Sequence, residues 1–557
     1  MMEKVIIQAG FESVYDFFLK VAIPGLFAAV GFFFVALFFL PLPFYVSYLI
    51  LGLGVSLIFA IPYALKSRMR VNINEHIHLF ITFAGTISTI DIDRKTFFEK
   101  VAQNPDYGQI SRFSDKILYF AKKWNLGFSY TCRRIAKDSP SRVFADFLDR
   151  LAAALDFGTP LDTFLYDEQK SVLDDYETVY REALNNIGML REAFIAITIS
   201  VAFGMSTALL LPLLMGVSIV LAIKWCLLVL FVIDIFLLIF VSTFIPHDDL
   251  CHDLKIKDEG MRKVYFWLKI TVPISLLIMA VLFYIDKLEF LLNIAFGLIP
   301  LLIVGFYAVK EESIVYKRDK EFPSFIRALG STIFARQSGV MASLEALQIH
   351  EFGVLQGVVS DLYKRLKIGS DKMKAWAFFA GESGSMLISR FTNIFCQSIY
   401  LGGHSERIGE ILSENFQRLT SLRQLRFQQA SALKGALYGS LVGFIATVYI
   451  SISITKLLTS MFSDALAEST GQSQISGMIS SIIPRIPEID ASMISLYLGL
   501  TILLHAFVSS LIIKIVDGGN RYAMVFDFVA MVWIGAIMSI VVPWFATRMF
   551  AGPMGLG

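Results

Sequence analysis

Of 557 residues, 56% are hydrophobic, 17% are charged and the formal net charge is +2. That apolar content, with a mean hydropathy of +0.64, places the chain among polytopic membrane proteins, and so small a net charge names no partner class and gives no sign of nucleic-acid binding. Cys132, Cys226, Cys251 and Cys396 are scattered without CxxC spacing, so neither a disulfide framework nor a zinc ribbon is implied.

In chain order, residues 2–19 carry the pattern of an amphipathic helix lying on the inner membrane face. Asp16 and Lys20 interrupt the apolar character there, which argues against a cleavable signal. A span needs about 20 mostly apolar residues. Nine runs meet that length: 22–40, 44–65, 193–212, 219–245, 264–285, 290–309, 436–458, 492–516 and 523–547. Pro41 and Pro43 break the first pair into a hairpin, the third and fourth divide near Pro212 and Gly216, and Pro300 predicts a kink within the sixth.

The expected fold is therefore an all-α polytopic membrane protein with about nine transmembrane helices and two homologous helical-bundle domains. An amphipathic segment and hairpin (1–65) precede a first soluble block (66–191). Four spans follow (192–310), with a short inner loop at 246–263. A second soluble block (311–434) and three more spans (435–557) complete the chain. Basic residues set the orientation. Lys66, Arg68, Arg70, Arg181 and Arg191 flank block one, and Lys310, Lys317, Arg318, Lys320 and Lys434 flank block two. Both blocks and the N-terminus are thus expected in the cytoplasm, with the C-terminus outside.

The two blocks repeat each other. Aligning Leu118 with Leu362 holds one register without a gap for about 40 residues, pairing Tyr119 with Tyr363, Lys123 with Lys367, Ala136 with Ala380 and Ser139 with Ser383. The same register pairs Ser141 with Ser385, Phe147 with Phe391 and Gly158 with Gly402. Val143, Phe147, Leu151 and Leu155 form one helical stripe, Phe391, Ile394, Phe395 and Ile399 another, and a glycine ends each helix.

The stretches FPSFIRALGSTIFARQSGVMASLEALQ (322–348) and SGSMLISRFTNIFCQSIYLGG (383–403) resemble the cytoplasmic domain of the type II secretion system F family, the platform proteins of type IV pilus-like machines. About nine spans instead of three makes the layout most similar to the archaellum assembly platforms. That resemblance implies a membrane scaffold at the base of a filament. Its implied partners are a cytoplasmic hexameric secretion or motor ATPase, pilin-like (archaellin) subunits, other motor components, the lipid bilayer and a second copy of the chain. Filament rotation is an expectation of the same resemblance. The platform of an adhesive archaeal pilus has nearly the same sequence layout. A transporter or channel is the alternative from a different class, set against a midplane poor in polar groups.

Catalytic signatures are missing. There is no Gly-Lys pair and hence no P-loop, His350-Glu351 is followed by Phe-Gly-Val where HExxH needs a second histidine, and neither GxSxG nor GxGD occurs. A non-enzymatic role without a cofactor is expected.

Four constellations remain. Block two holds 17 basic and 12 acidic residues from Lys310 to Lys434. Its candidate docking residues for an acidic partner are Lys364, Arg365, Lys367, Lys372, Lys374, Arg407, Arg418, Arg423 and Arg426, although those from Arg418 onward also fit a membrane-proximal, positive-inside role. Gly435, Gly439 and Gly443 share one face of the seventh span and suit close helix packing, within the chain or in a homodimer seam. Asp234 in the fourth span and His505 at comparable depth in the eighth suggest an intramembrane polar pair or a proton relay. His247, Asp248, Asp249, Cys251, His252 and Asp253 have no metal-site spacing, and their loop suits partner contact better.

Overall fold

The computed structural model describes residues 2–9, 11, 14–26, 44–90, 92–215, 219–246, 248–252, 254, 256, 258–285, 287–469 and 491–551. Every regular element among them is helical, and the one extended pairing is an isolated bridge between Cys251 and Ser385. After α1 (Met2–Gln8), the first copy comprises α2 (Phe44–Ile87), α3 (Arg94–Gln103), α4 (Gln109–Lys123), α5 (Phe128–Asp138) and α6 (Arg142–Asp156), and leads into α7 (Leu161–Met215). Next come α8 (Ile219–Phe244), α9 (Glu259–Ile285) and α10 (Phe290–Leu298). The second copy comprises α11 (Leu301–Arg336), α12 (Val340–Leu347), α13 (Gln356–Lys367), α14 (Lys372–Ser383) and α15 (Met386–Tyr400), and leads into α16 (Ser405–Ser469). Helices α17 (Ala491–Asp517) and α18 (Met524–Ala551) end the described chain.

Helix starts carry the repeat. Leu118 and Leu362 are 244 positions apart, and the same spacing separates Phe128 from Lys372, Arg142 from Met386 and Leu161 from Ser405, the first residues of three helix pairs. Local chemistry repeats too. The Ser141 N–H donates to Ser139 Oγ at 3.3 Å, and the Ser385 N–H donates to Ser383 Oγ at 3.3 Å. Gly158 (φ 74°) and Gly402 (φ 90°) both adopt the left-handed conformation that closes a helix and that a Cβ would strain.

Five helical stretches are long and apolar enough to cross a membrane: Leu161–Thr207, Glu259–Ile285, Ser405–Leu458, Ser495–Asp517 and Arg521–Met549. A sixth results if Phe290–Leu298 and Leu301–Arg336 make one span, bent by 51° at the break that contains Pro300. The run at 219–245 contains a shorter apolar helix, Leu227–Thr243. Most of the expected first span, 22–40, lies outside the described residues. The described residues therefore reach five or six such spans, fewer than the nine apolar runs.

The chain divides into two compact units. One holds Met1–Tyr180, Glu321–Ala377 and Leu387–Arg418; the other holds Arg181–Lys320, Phe378–Met386 and Leu419–Gly557. Both copies fall mainly in the first. Its core is aromatic: Phe80 packs against Phe147 with ring centroids 5.2 Å apart, and Phe416 meets Phe322 at 4.7 Å and Phe391 at 5.0 Å, all fully buried. Such pairs add about 0.5–1.5 kcal/mol each beyond burial. The copies join through polar side chains. Ser398 hydrogen-bonds Thr86 at 2.7 Å, Asn415 donates to Thr82 at 3.1 Å and Asn393 donates to Asp106 at 2.9 Å. Within this unit α11 and α16 cross so closely that a Cβ on Gly330 would lie 2.9 Å from Gly409 Cα.

Candidate functional site

The basic residues of block two separate into two groups. Lys364, Lys367, Lys372, Lys374 and Arg407 are exposed and Arg365 is half-buried. Lys364 pairs with Asp361 at 2.9 Å, and the Lys367 ammonium lies 5.3 Å from the centre of the Tyr363 ring. Cations at the end of α13 suit the negative pole of its dipole. Lys372 and Lys374 sit in the first turn of α14, where the dipole disfavours positive charge, so helix stability does not explain them. Arg418 is one-quarter exposed and bonds Asp174 at 2.6 Å.

Arg423 and Arg426 belong elsewhere. Their side chains are buried, 8% and 3% exposed, and bond within the chain, which removes them from the docking set expected from sequence. The Arg423 guanidinium donates to Asp319 at 2.9 Å, to both carboxylate oxygens of Asp248 at 2.9 and 2.5 Å, and to the Asp249 carbonyl. Arg426 donates to the carbonyls of Val516 (2.6 Å), Ile515 (2.9 Å) and Asp248 (3.2 Å). Together they clamp the 248–252 loop to α11, α16 and the last turn of α17. Burial pushes the Asp319 carboxyl up to about 6, even beside Arg423.

The same loop is held from its other side. The Met386 N–H donates to the Leu250 carbonyl at 3.0 Å and the His252 N–H to the Gly384 carbonyl at 3.3 Å. His252 Nδ1 accepts from the Leu254 N–H, so Nε2 carries the ring hydrogen and donates to the Gly381 carbonyl at 2.7 Å. Arg318 caps the Glu382 and Ser383 carbonyls and lies 3.5 Å from Asp258. These bonds explain why 378–386 groups with the second unit. Burial pushes the Cys251 thiol up to about 12. No group of three potential metal ligands occurs among the described residues; His247 and Asp253 lie outside them.

Asp319 was missed in the sequence, although a signal exists. It interrupts the apolar stripe Val315, Phe322 and Ile326 of α11, just as Arg423 and Arg426 interrupt Leu419, Leu422, Ala430 and Leu433 of α16, all buried. A charge on a core stripe implies a charged partner on a facing one.

Between two apolar helices, α8 and α17, His505 Nδ1 lies 2.9 Å from Asp234 Oδ2, both side chains nearly fully buried, and Phe194 stacks on the imidazole with centroids 6.4 Å apart. A cavity of about 260 Å³ adjoins the pair. Gly435, Gly439 and Gly443 are exposed, and a Cβ built on any of them meets nothing within 4 Å. No described segment of the chain packs on that face.

These features define an all-helical membrane protein with several apolar helices long enough to span. Flagella accessory protein J of Methanocaldococcus jannaschii is 30% identical to it over 539 residues, 94% of each chain. Flagella accessory protein J of Methanococcus voltae is 30% identical over 539 residues, 94% of this chain and 95% of its own. The chain belongs to the flagella accessory protein J family, in agreement with the archaellum resemblance carried by residues 322–403. No family model and no solved structure matches it.

Proposed function

We propose that the chain is the non-enzymatic membrane platform of an archaellum, with about nine spans and both copies in the cytoplasm. A hexameric ATPase docks on the exposed cations of α13 and α14, and its nucleotide-driven motion passes to spans around which pilin-like subunits assemble into a filament that rotates. A second copy of the chain packs on the open face of Gly435, Gly439 and Gly443. Asp234 and His505 serve as a structural pair. The relatives' names favour an archaellum over an adhesive pilus.

The observation that carries this proposal is the clamp at Arg423. It ties the short loop between two apolar helices to α11 and α16, the long helix that opens copy two and the long helix into which copy two leads. A load on those helices therefore reaches the loop through bonded groups.

Docking is tested by co-purifying the detergent-solubilised full-length chain with hexameric secretion ATPases of its own cell. Reversing Lys372 and Lys374 to Glu, a change that suits the dipole at the start of α14, is expected to lower ATPase recovery at least tenfold without lowering the thermal unfolding midpoint. Unchanged recovery would remove these residues from the interface. The full chain is required because 378–386 packs with the second unit, so residues 311–434 do not form a self-contained piece.

A further inference from the structure

The loop that Arg423 clamps runs on to a second junction, where α9 begins against α11. Asp258 immediately precedes α9 and Glu311 lies on α11; both are buried, 8% and 5% exposed. Gly260 touches both. Its N–H donates to Asp258 Oδ2 at 3.3 Å, and a Cβ there would collide with Glu311 Oε2. The two carboxyls hydrogen-bond each other in that space. They lie outside the long apolar runs at 264–285 and 290–309.

Two ionised carboxylates only accept hydrogen bonds, so one member of a bonded pair must carry a proton. The surroundings agree. Glu311 Oε1 is buried and receives no hydrogen bond, whereas an ionised carboxylate at that depth needs donors. The largely buried cation at the pair is Arg318, whose Nη1 lies 3.5 Å from Asp258 and also serves the carbonyls of Glu382 and Ser383. Lys263 is exposed, and Cys251, the remaining titratable neighbour of Glu311, keeps a neutral thiol. One guanidinium against two carboxylates leaves a net buried negative charge, which a single proton removes.

Burial and the Asp258 carboxyl hold the Glu311 carboxyl up to about 8. Burial opposes the Asp258 charge too, but the hydrogen bond from Glu311 and the Arg318 guanidinium bring its carboxyl below the ordinary value. The proton therefore belongs to Glu311, which donates to Asp258. Its folded value lies above the ordinary 4.5, so the folded chain keeps this proton longer than the unfolded chain and loses the benefit as pH passes about 8.

We propose that Asp258 and Glu311 form a proton-binding site that fastens the start of α9 to α11, and that release of the proton unfastens it. With both carboxylates charged, repulsion acts in a space where neither is solvated until they part. The Arg423 clamp holds one end of the loop and this pair holds the other. The proton thus sets whether the far end of the loop follows α11. That consequence for load rests on the platform reading; the proton site itself does not.

Infrared difference spectra of the purified full-length chain, titrated upward from neutral pH, are expected to show one protonated-carboxyl band lost with a midpoint near pH 8. Glu311→Gln, which keeps the shape and the donor of the protonated acid, removes that band. Asp258→Asn, which offers Glu311 a donor in place of a second acid, moves the midpoint down by about one pH unit or more. Glu259→Gln, exposed and next to the pair in sequence, leaves it in place. Hydrogen exchange at residues 262–266, corrected for its intrinsic pH dependence, should rise roughly tenfold across the transition in the wild type and stay slow in Glu311→Gln. Absence of the band from the wild type, a midpoint that Asp258→Asn leaves unmoved, or equal exchange in wild type and Glu311→Gln overturns the switch. Loss of the band at neutral pH on adding millimolar calcium shows that a metal cation is the ligand, which also overturns it.

Discussion

Arg423 joins two carboxylates: Asp248, only partly exposed, and Asp319, fully buried. Removing one member of such a group strands the others in a medium that cannot solvate them, at a cost of ~3–5 kcal/mol. Arg423→Ala is thus expected to lower the thermal unfolding midpoint of the purified chain sharply, and Arg423→Lys to recover only part of it, because an ammonium cannot span both carboxylates as a planar fork does. Asp319 makes a separate, pH-dependent contribution. Its folded-state value of about 6 lies above the ordinary 3.8, so the folded chain binds that proton more tightly than the unfolded chain does. Stability from this group therefore falls as pH rises from about 4 to about 6 and is flat above that. Asp319→Asn removes this component, and the change in unfolding midpoint across that window should shift accordingly. An identical pH profile in the variant would show that another group carries it.

Glycines separate the helices into faces that are occupied and faces that are open. A Cβ on Gly330 or Gly409 would press into the opposing backbone, so Gly330→Ala is expected to cost ~1–3 kcal/mol through overpacking. Gly439→Ala meets open space in the protomer. It should leave the unfolding free energy within about 1 kcal/mol of wild type, while Gly439→Leu should weaken self-association measured by energy transfer between labelled copies in vesicles. Undiminished transfer would rule out a seam on this face. Much of this element-level organisation was legible in the sequence. The register of Leu118 on Leu362 anticipates the helix starts at Arg142 and Met386, and Pro300 anticipates the bend. The clamp was not legible, because basic residues next to a span satisfy both positive-inside and burial, and sequence spacing along α16 does not say which. Asp248 was hidden among five other potential ligands in a loop too short to show periodicity. Asp234 and His505 were legible because a charge in an apolar run has few affordable states.

At the scale of the molecule, Thr82, Thr86 and Asp106 hydrogen-bond to Asn415, Ser398 and Asn393 within one compact unit. Polar contacts of this kind are specific in register and add about 1 kcal/mol apiece. The platform account requires both copies to face the cytoplasm, where an ATPase can reach them. Phe157 of copy one is 87% exposed and Ile368 of copy two is 83% exposed, so a cysteine at either site would be reachable from its own side of the membrane. Phe157→Cys and Ile368→Cys are to be treated with a membrane-impermeant maleimide in intact cells and again after permeabilisation. The account predicts that neither reacts beyond the parent chain until the membrane is opened; reaction of one or both from outside would contradict it.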